Sequence, residues 1–384
     1  MAFTLVAVAC GGAPEPVSPP PPPPPAPVAP AAPAPTPEPV AVAPQPTPEE
    51  LKKEKDRKEL EADRQKLTAD NAAELARLTP ELRTQAKTLA EKSYGTARSA
   101  LTAALASQHR KPGNAERDAS RHPLETLEFF GLKPSSVVLE SGPGEGWYTE
   151  LLAPVLAKKG KLYVTMTDPN GPKEERNSYY GERTKLFLGR LPEAYGKVEP
   201  ITIDPKAPKL GLESKLDLVI LMRGAHGMYN NKTLDLYLAE YHRALKPNGV
   251  LGIEQHRAAP NANPDESSKQ GYLPEAFLIQ KVEGAGFKLA AKSEINANPK
   301  DTKDYPEGVW ALPPTLRLGD KDREKYVAIG ESDRMTLRFV KVAAKKVEAP
   351  KVEAPKAAAP GVEPPKTEAP KAEPPKPAPA KSTP

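Results

Sequence analysis

The residues best suited to chemistry in this chain lie close together, within residues 137–148. An acid, Glu140, is followed by a glycine at every second position, namely Gly142, Gly144 and Gly146. Apolar β-favouring residues precede the acid and a leucine-rich run follows, so the stretch predicts a strand, a tight turn and a helix. Glycines let the backbone turn sharply and let a ligand approach closely. The first N–H groups of the helix favour an anionic ligand group, so this turn is a predicted ligand site.

The spacing of the glycines separates two kinds of cofactor site. A dinucleotide-binding turn requires Gly-x-Gly-x-x-Gly, but the third glycine counted from Gly142 would fall on Trp147. The pattern acid-x-Gly-x-Gly-x-Gly closely resembles motif I of the class I S-adenosylmethionine (SAM) methyltransferases. The resemblance implies that the glycines pass beneath the methionine part of SAM and that Glu140 helps to hold its ammonium group. The alternative is a glycine turn within an unrelated α/β protein.

Acids follow two more predicted strands. The second strand, residues 161–167, ends at Asp168, and the third, about residues 198–203, ends at Asp204. The methyltransferase resemblance implies that Asp168 accepts hydrogen bonds from both ribose hydroxyls of SAM and that Asp204 contacts the adenine amino group. Both residues have an alternative interpretation, because Asp168 could cap a helix or turn and Asp204 precedes a proline in a turn.

Two histidines are candidates for a general base. The continuous apolar run 216–222 predicts a central buried strand, and it leads directly to His226; His256 follows the next predicted strand. Ligands of open α/β sheets bind outside the carboxyl ends of the strands, and imidazole titrates near neutral pH. Either histidine could instead satisfy a hydrogen bond in its own loop. The histidines show no close metal-ligand spacing, so no metal site is predicted.

The resemblance extends over residues 115–342. It includes Leu-Lys-Pro-x-Gly before the strand at 250, and two predicted strands, 287–295 and 334–342, that would form a terminal antiparallel hairpin. The segment Arg-Asp…Arg-His-Pro at 117–123 resembles the opening of a group of predicted bacterial methyltransferases, many of them exported. There, Arg121 and His122 either line the cofactor mouth or hold the N-terminal helix in place. The expected fold is therefore an α/β, Rossmann-like class I methyltransferase sheet with a C-terminal hairpin.

Proline-rich segments and a helical region flank this domain. Residues 1–10 resemble the end of a lipoprotein signal with Cys10 as the lipidated residue, and residues 11–46 predict an extended Pro/Ala-rich tether. Residues 47–114 predict a solvated helical stalk, opened by a capping box at Thr47 and Glu50, and then a docking helix from about 80 to 108. The methyltransferase-like domain is assigned to 115–343, with a long link at 296–333 that is either functional or badly ordered. The repeats of residues 344–384 predict a disordered tail.

Composition narrows the possible partners of the chain. Its 384 residues include 49 prolines and one cysteine, and the net charge is +5. No basic stripe is interleaved with aromatic residues, so nucleic-acid binding is not expected. The sequence favours SAM-dependent methyl transfer to a small-molecule or envelope-associated acceptor. The expected location is the cell envelope, facing the periplasm, with membrane contact only through a lipid on Cys10. Because SAM is made in the cytosol, two alternatives stay open: a cytoplasmic enzyme, or an inactive methyltransferase fold that serves as a binding or structural module.

Overall fold

The computed structural model describes residues 18–24 and 46–342. Cys10, most of the tether and the C-terminal repeats lie outside the described residues, so what the sequence predicts for them stays a prediction. Residues 18–24 are exposed and form neither helix nor strand. Within the described part of the chain, no helix combines the length and apolar content needed to cross a bilayer.

A seven-stranded sheet forms the centre of the domain. Its strands are β1 Val137–Ser141, β2 Lys161–Met166, β3 Glu199–Thr202, β4 Leu216–Met222, β5 Leu245–His256, β6 Phe287–Ser293 and β7 Arg334–Lys341. They lie in the order β3-β2-β1-β4-β5-β7-β6. Strands β1 to β5 are parallel, whereas β7 pairs antiparallel with both β5 and β6. This arrangement confirms the predicted Rossmann-like α/β sheet with a C-terminal antiparallel hairpin.

Helices cover both faces of the sheet. The α-helices of the described residues are α1 Pro48–Arg77, α2 Pro80–Glu91, α3 Ala97–Leu105, α4 Asp118–Arg121, α5 Pro123–Phe129, α6 Thr149–Leu156, α7 Arg176–Arg190, α8 Pro192–Tyr195, α9 Ala225–Asn230, α10 Leu234–Ala244, α11 Pro264–Ser267, α12 Glu275–Gly284 and α13 Arg323–Ile329. Short 3₁₀ turns occur at Ala115–Arg117, Ser268–Gln270 and Gly308–Ala311.

The hydrophobic core consists of two clusters, one on each face of the sheet. Alternate residues of a strand point to opposite faces, and β1 shows the result. Val138 belongs to the cluster that contains residues of α2, α3 and α6, whereas Leu139 belongs to the cluster that contains residues of α10 and α12. Because both faces are covered, the central strands are apolar at almost every position. This explains why β4 is visible in the sequence as an apolar run that only Asp217 interrupts.

The N-terminal helical region differs from the prediction in two ways. The expected helix 80–108 is interrupted between α2 and α3, where the side chain of Thr96 accepts a hydrogen bond from the amide of Ser99 and begins a new helix. A cap of this kind competes with continuation of the preceding helix. In α1, Leu60 and Leu67 are buried against Tyr179 and Leu186. That part of the helix therefore packs on the domain instead of being solvated.

The described chain divides into two units after residue 54. The first unit ends in the opening turn of α1, where Glu50 accepts a hydrogen bond from the backbone amide of Thr47 at 2.8 Å and donates its own amide to the threonine hydroxyl at 3.3 Å. This is the predicted capping box. The second unit contains the sheet, its helices and all the residues considered below.

Helix α7 offers a matched pair of glycines that tests how closely it packs. A Cβ at Gly181 would lie 2.3 Å from the carbonyl oxygen of Thr167, whereas a Cβ at Gly189 would meet no atom within 4 Å. Gly181→Ala should therefore destabilise the fold by about 1–3 kcal/mol through overpacking. Gly189→Ala should be neutral or stabilise it by up to about 1 kcal/mol, because alanine favours the helix. Urea unfolding measures both; equal midpoints for the two variants would contradict the close packing of α7.

Candidate functional site

A cavity of about 980 Å³ opens at the carboxyl ends of β1, β2, β4 and β5. The glycine turn after β1 forms one wall, α7 contributes another, and the segment between β6 and β7 also lines it. Pockets for a single small molecule usually enclose about 300–1,000 Å³. The cavity is at the upper end of that range, so it has room for a cofactor together with a second small molecule. Its position is the one expected for an open α/β sheet.

The glycine turn leaves open space beside the strand end. Gly142, Gly144 and Gly146 all have positive φ, at 68°, 62° and 84°. A Cβ at Gly146 would lie 2.4 Å from the ring of Phe187, so this position requires glycine for packing as well as for conformation. At Gly142 and Gly144 an added Cβ would meet nothing within 4 Å. A ligand therefore has direct access to the backbone at these two residues.

Glu140 is the carboxylate at the end of β1, and it is only 3% exposed. Its Oε2 accepts a hydrogen bond of 2.7 Å from the hydroxyl of Thr149, at the start of α6. Burial raises the pKa of Glu140 to about 7 despite this hydrogen bond. No cation among the described residues lies within 4.0 Å of its carboxylate, yet the residue lines the cavity. A positively charged ligand group would therefore supply the partner that a buried carboxylate needs.

The other two predicted cofactor acids are not brought into the cavity. Asp168 and Asp204 are both exposed, and neither lines it. Each carboxylate accepts a hydrogen bond from the backbone amide two residues later, at 2.8 Å from Asn170 and 2.9 Å from Lys206. This is the local turn that aspartate commonly stabilises. Their immediate neighbours Thr167 and Ile203 do line the cavity, so both acids lie at its edge. Their roles in cofactor binding stay predictions.

The two candidate bases lie together on the cavity wall. The rings of His226 and His256 are 5.8 Å apart. The side-chain amide nitrogen of Gln255 donates to the carbonyl of Gly271 at 3.0 Å and lies 3.2 Å from Nδ1 of His226. An amide nitrogen is a donor, so Nδ1 of His226 accepts and its proton is on Nε2. Nδ1 of His256 lies 2.5 Å from the hydroxyl of Ser332, which can donate or accept.

Burial makes both histidines weak bases, and nearby positive charge adds to this effect at His256. Burial lowers the pKa of His226, and only the contact with Gln255 opposes this. Burial also lowers the pKa of His256 well below its ordinary value, and the charges of Arg223 and Arg334 lower it further. Both rings are therefore neutral at physiological pH.

A buried ionic cluster lies next to these histidines, and sequence reasoning missed it. Glu254 is fully buried and lies 3.0 Å from Arg223 and 2.8 Å from Arg334. Glu331 lies 2.9 Å from Arg121 and 2.5 Å from Arg334. Burial alone would raise the pKa of Glu331, but the neighbouring arginines outweigh it and lower the pKa to about 2. Both carboxylates are ionised, and the cluster links α4, β4, β5 and β7.

The sequence contained a signal for this cluster. Glu254 and Arg334 each occur in a strand whose other buried positions are mostly apolar. Charged residues are rarely fully buried unless they are paired.

Arg121 and His122 were expected either to line the cofactor mouth or to hold the N-terminal helix in place. Arg121 lines the cavity and also pairs with Glu331. His122 does not line the cavity, and its Nδ1 lies 3.3 Å from the side-chain oxygen of Asn296, so it anchors the segment.

The long link 296–333 also contributes to the site. Trp310, Pro314 and Thr315 line the cavity, and the ring of Trp310 lies 5.9 Å from that of His226. Ser332 and Glu331, at the end of the link, contact His256 and Arg121. The link was expected to be either functional or badly ordered, and these contacts favour an ordered link that contributes to the site.

Comparisons with known proteins give structural similarity only. No protein-family model matches the sequence, and no curated protein matches it. Among solved structures, a SAM-dependent methyltransferase from Aquifex aeolicus is 18% identical, with a TM-score of 0.39; the match covers 64% of this chain and 98% of that one. A putative methyltransferase from Bacillus halodurans is 15% identical, with a TM-score of 0.38, and covers 58% and 100% of the two chains.

A third similar structure contains two ligands. It is the 1,6-didemethyltoxoflavin N1-methyltransferase of Burkholderia thailandensis, with bound 1,6-didemethyltoxoflavin and S-adenosylhomocysteine. This protein is 16% identical, has a TM-score of 0.37, and the match covers 64% of this chain and 87% of that one. Similarity at this level does not determine a reaction or a substrate, which have to be argued from the residues of the cavity.

Proposed function

We propose that this protein is a SAM-dependent methyltransferase that acts on a small-molecule or envelope-associated acceptor. The observation that carries the proposal is the buried carboxylate of Glu140, which faces the cavity without a cationic partner among the described residues. It lies beside a turn whose backbone is open at Gly142 and Gly144. A ligand that presents an ammonium group next to a flat, close-fitting segment satisfies both features. The methionine part of SAM has this chemistry.

The residues of the cavity have distinct tasks in this proposal. SAM supplies an activated methyl group on a sulfonium, so the protein has to align the acceptor and exclude water. Glu140 pairs with the ammonium group, and the glycine turn accommodates the methionine chain. Asp168 and Asp204, at the cavity edge, are proposed to contact the ribose and adenine on the basis of the sequence resemblance. Trp310, from the long link, covers the acceptor side.

Of the two histidines, His256 is the better candidate for the base. His226 has its proton on Nε2, the nitrogen that Gln255 leaves free. The hydroxyl of Ser332 can instead accept a hydrogen bond from the Nδ1–H of His256, and in that tautomer Nε2 is unprotonated and able to accept a proton. Because the pKa of His256 is low, this base is weak. The site therefore suits an acceptor whose nucleophilic atom needs little help in losing a proton.

One observation favours the alternative of a binding or structural module that has lost catalysis. Asp168 and Asp204, the two acids assigned to the nucleoside part of SAM, both have their carboxylates in local turns outside the cavity. Binding of SAM or SAH therefore distinguishes a methyltransferase from a binding or structural module.

Binding of S-adenosylhomocysteine (SAH) should strengthen as the pH rises from about 6 to about 8, because Glu140, with a pKa of about 7, must ionise to pair with the ammonium group. Glu140→Gln should bind SAH about tenfold more weakly at the higher pH and lose the pH dependence. Isothermal titration calorimetry measures both effects.

The raised pKa of Glu140 also affects the stability of the fold. Ionisation of the buried carboxylate lowers the free energy of unfolding above the pKa that Glu140 has in the unfolded chain, so Glu140→Gln should be more heat-stable than the wild type at high pH.

Glu150 provides a matched control for this experiment. Burial raises its pKa to about 7 as well, but it hydrogen-bonds the amide of Lys111 and the side chain of Asn114 and does not line the cavity. Glu150→Gln should keep the wild-type pH profile of SAH binding. A folded wild-type protein that fails to bind millimolar SAH would refute the methyltransferase proposal and favour the binding module.

The weak basicity of His256 is testable by itself. Arg223→Gln should raise the pKa of His256, because the charge of Arg223 is one of the effects that lower it. The pKa of His226 should change less, since Arg223 is not among the causes of its shift. A titration of the imidazole nitrogens by NMR, from about pH 4 to about pH 8, separates the two rings. An equal shift of both rings, or a shift of neither, would contradict the assignment.

Placement at the cell envelope is a separate proposal that rests on the sequence of residues 1–10. A lipid on Cys10 would anchor the chain, and the Pro-rich tether would separate the domain from the membrane. Metabolic labelling with palmitate should mark the wild-type protein in the membrane fraction and should not mark Cys10→Ser. An unlabelled wild-type protein in the cytosolic fraction would refute this placement and leave the enzyme in the compartment that makes SAM.

A further inference from the structure

Three arginines line one side of the cavity, and a fourth lies behind them. Arg117, Arg121 and Arg223 line it, and Arg334 is buried next to Glu254. The carboxylates paired with these arginines are Glu254 and Glu331. Four guanidinium groups thus meet two carboxylates, which leaves a surplus of two positive charges on this wall. Arg121 and Arg334 are buried, whereas Arg117 and Arg223 are partly exposed, so the surplus charge borders the cavity.

The arginines have donors left over for a ligand. Among the hydrogen bonds of the described residues, Arg121 uses only its Nε, which donates to both oxygens of Glu331 at 2.9 and 3.0 Å. Arg223 uses only one Nη, which donates to Glu254 at 3.0 and 3.2 Å. A guanidinium has five N–H donors in a planar fork that matches a carboxylate or phosphate. Arg121 lines the cavity, so its remaining donors are available to a ligand bound there.

The backbone of Arg223 has an uncommon conformation. Its φ is +58°, in the left-handed region that residues other than glycine and asparagine rarely adopt. The residue comes directly after β4, and its amide donates to the carbonyl of Glu254 on the neighbouring strand. Seven other non-glycine residues of the described chain also have positive φ and none of them lines the cavity, so the conformation does not by itself mark a ligand site. At Arg223 it accompanies a guanidinium at the cavity wall.

We propose that the methyl acceptor is an anionic small molecule whose carboxylate or phosphate group binds Arg223 and Arg121. The inference rests on the proposed function and deepens it. SAM has one carboxylate and one sulfonium besides the ammonium group that pairs with Glu140, so its net charge does not compensate the two surplus positive charges. Cationic acceptors are disfavoured by the same surplus charge.

The arginines also explain why a weak base is sufficient. Burial is the main cause of the low pKa of His256, and the positive charge of Arg223 and Arg334 adds to it. That charge, unlike burial, favours the deprotonated form of an acceptor hydroxyl or carboxyl group. The reacting atom then presents a lone pair to the methyl group without a strong base. The carbon–sulfur bond of SAM breaks as the new methyl bond forms, and the electron pair of the broken bond stays on sulfur, leaving neutral SAH.

The test uses small probes in place of the unidentified acceptor. Benzoate and phenyl phosphate are compared with the neutral isostere benzamide by isothermal titration of the full chain, with and without saturating SAH. Both anions should bind at least about tenfold more tightly than benzamide, and added salt should weaken them. Preference for benzoate over phenyl phosphate, or the reverse, distinguishes a carboxylate from a phosphate acceptor. Anions that bind no better than benzamide would overturn the proposal.

Variants assign the binding to the arginine wall. Arg223→Gln should weaken benzoate by about tenfold and weaken SAH by a smaller factor, because Arg223 also lowers the pKa of Glu140. Arg98→Gln is the control, since it removes the same charge from an exposed arginine that pairs with Glu128 outside the cavity. If Arg223→Gln fails to fold, Arg117→Gln tests the same wall at a partly exposed position. A loss of SAH affinity with unchanged benzoate binding would show that the arginines serve the cofactor and would refute the proposal.

The cofactor site and the anion site can be tested separately. Anion binding that persists in a protein unable to bind SAH would refute the methyltransferase proposal while confirming the anion site. SAH binding without any preference for anions would leave the methyltransferase standing and remove the anionic acceptor.

Discussion

The fully buried carboxylate of Glu254 is the constraint on which the rest of this site depends. It receives Arg223 from the end of β4, Arg334 from the start of β7, and the hydroxyl of Tyr148 from the turn after β1, at 3.1 Å. An unpaired charge in such a position would cost several kcal/mol. The three surrounding elements must therefore assemble correctly before Glu254 can be buried as an anion. Packing of the sheet and formation of the charged cavity wall therefore depend on the same residue, Glu254.

The cavity is lined by two chemically different sets of residues. At the glycine turn, Glu140 is a buried carboxylate without a cation among the described residues, and its pKa is raised. Arg121 and Arg223 also line the cavity, with their guanidinium groups over the rings of Trp147 and Tyr148, and some of their donors have no acceptor among the described residues. In the proposed function the two sets bind a cofactor and an acceptor side by side, as a group-transfer reaction requires.

Most of the sheet was predictable, because its signals are local. The run 216–222 became β4 with the predicted bounds, and the final hairpin appeared where β-rich segments predicted it. The helical region at the N-terminus was less predictable. Its apolar stripe is sparse, and whether Leu60 and Leu67 are solvated or buried depends on Tyr179 and Leu186, more than one hundred residues away. Periodicity within one helix carries no information about that partner.

The sequence by itself determined the glycine turn, since positive φ at Gly142, Gly144 and Gly146 is a matter of local sterics that glycine alone satisfies easily. It also determined the strands and the position of the site at their carboxyl ends. Only the tertiary structure decided which side chains meet there. Arg121 pairs with Glu331 across 210 residues of chain, and the link 296–333 folds over the cavity. Such pairings arise from the packing of distant elements and from the cost of burying unpaired charge, and neither has a signature in the spacing of neighbouring residues.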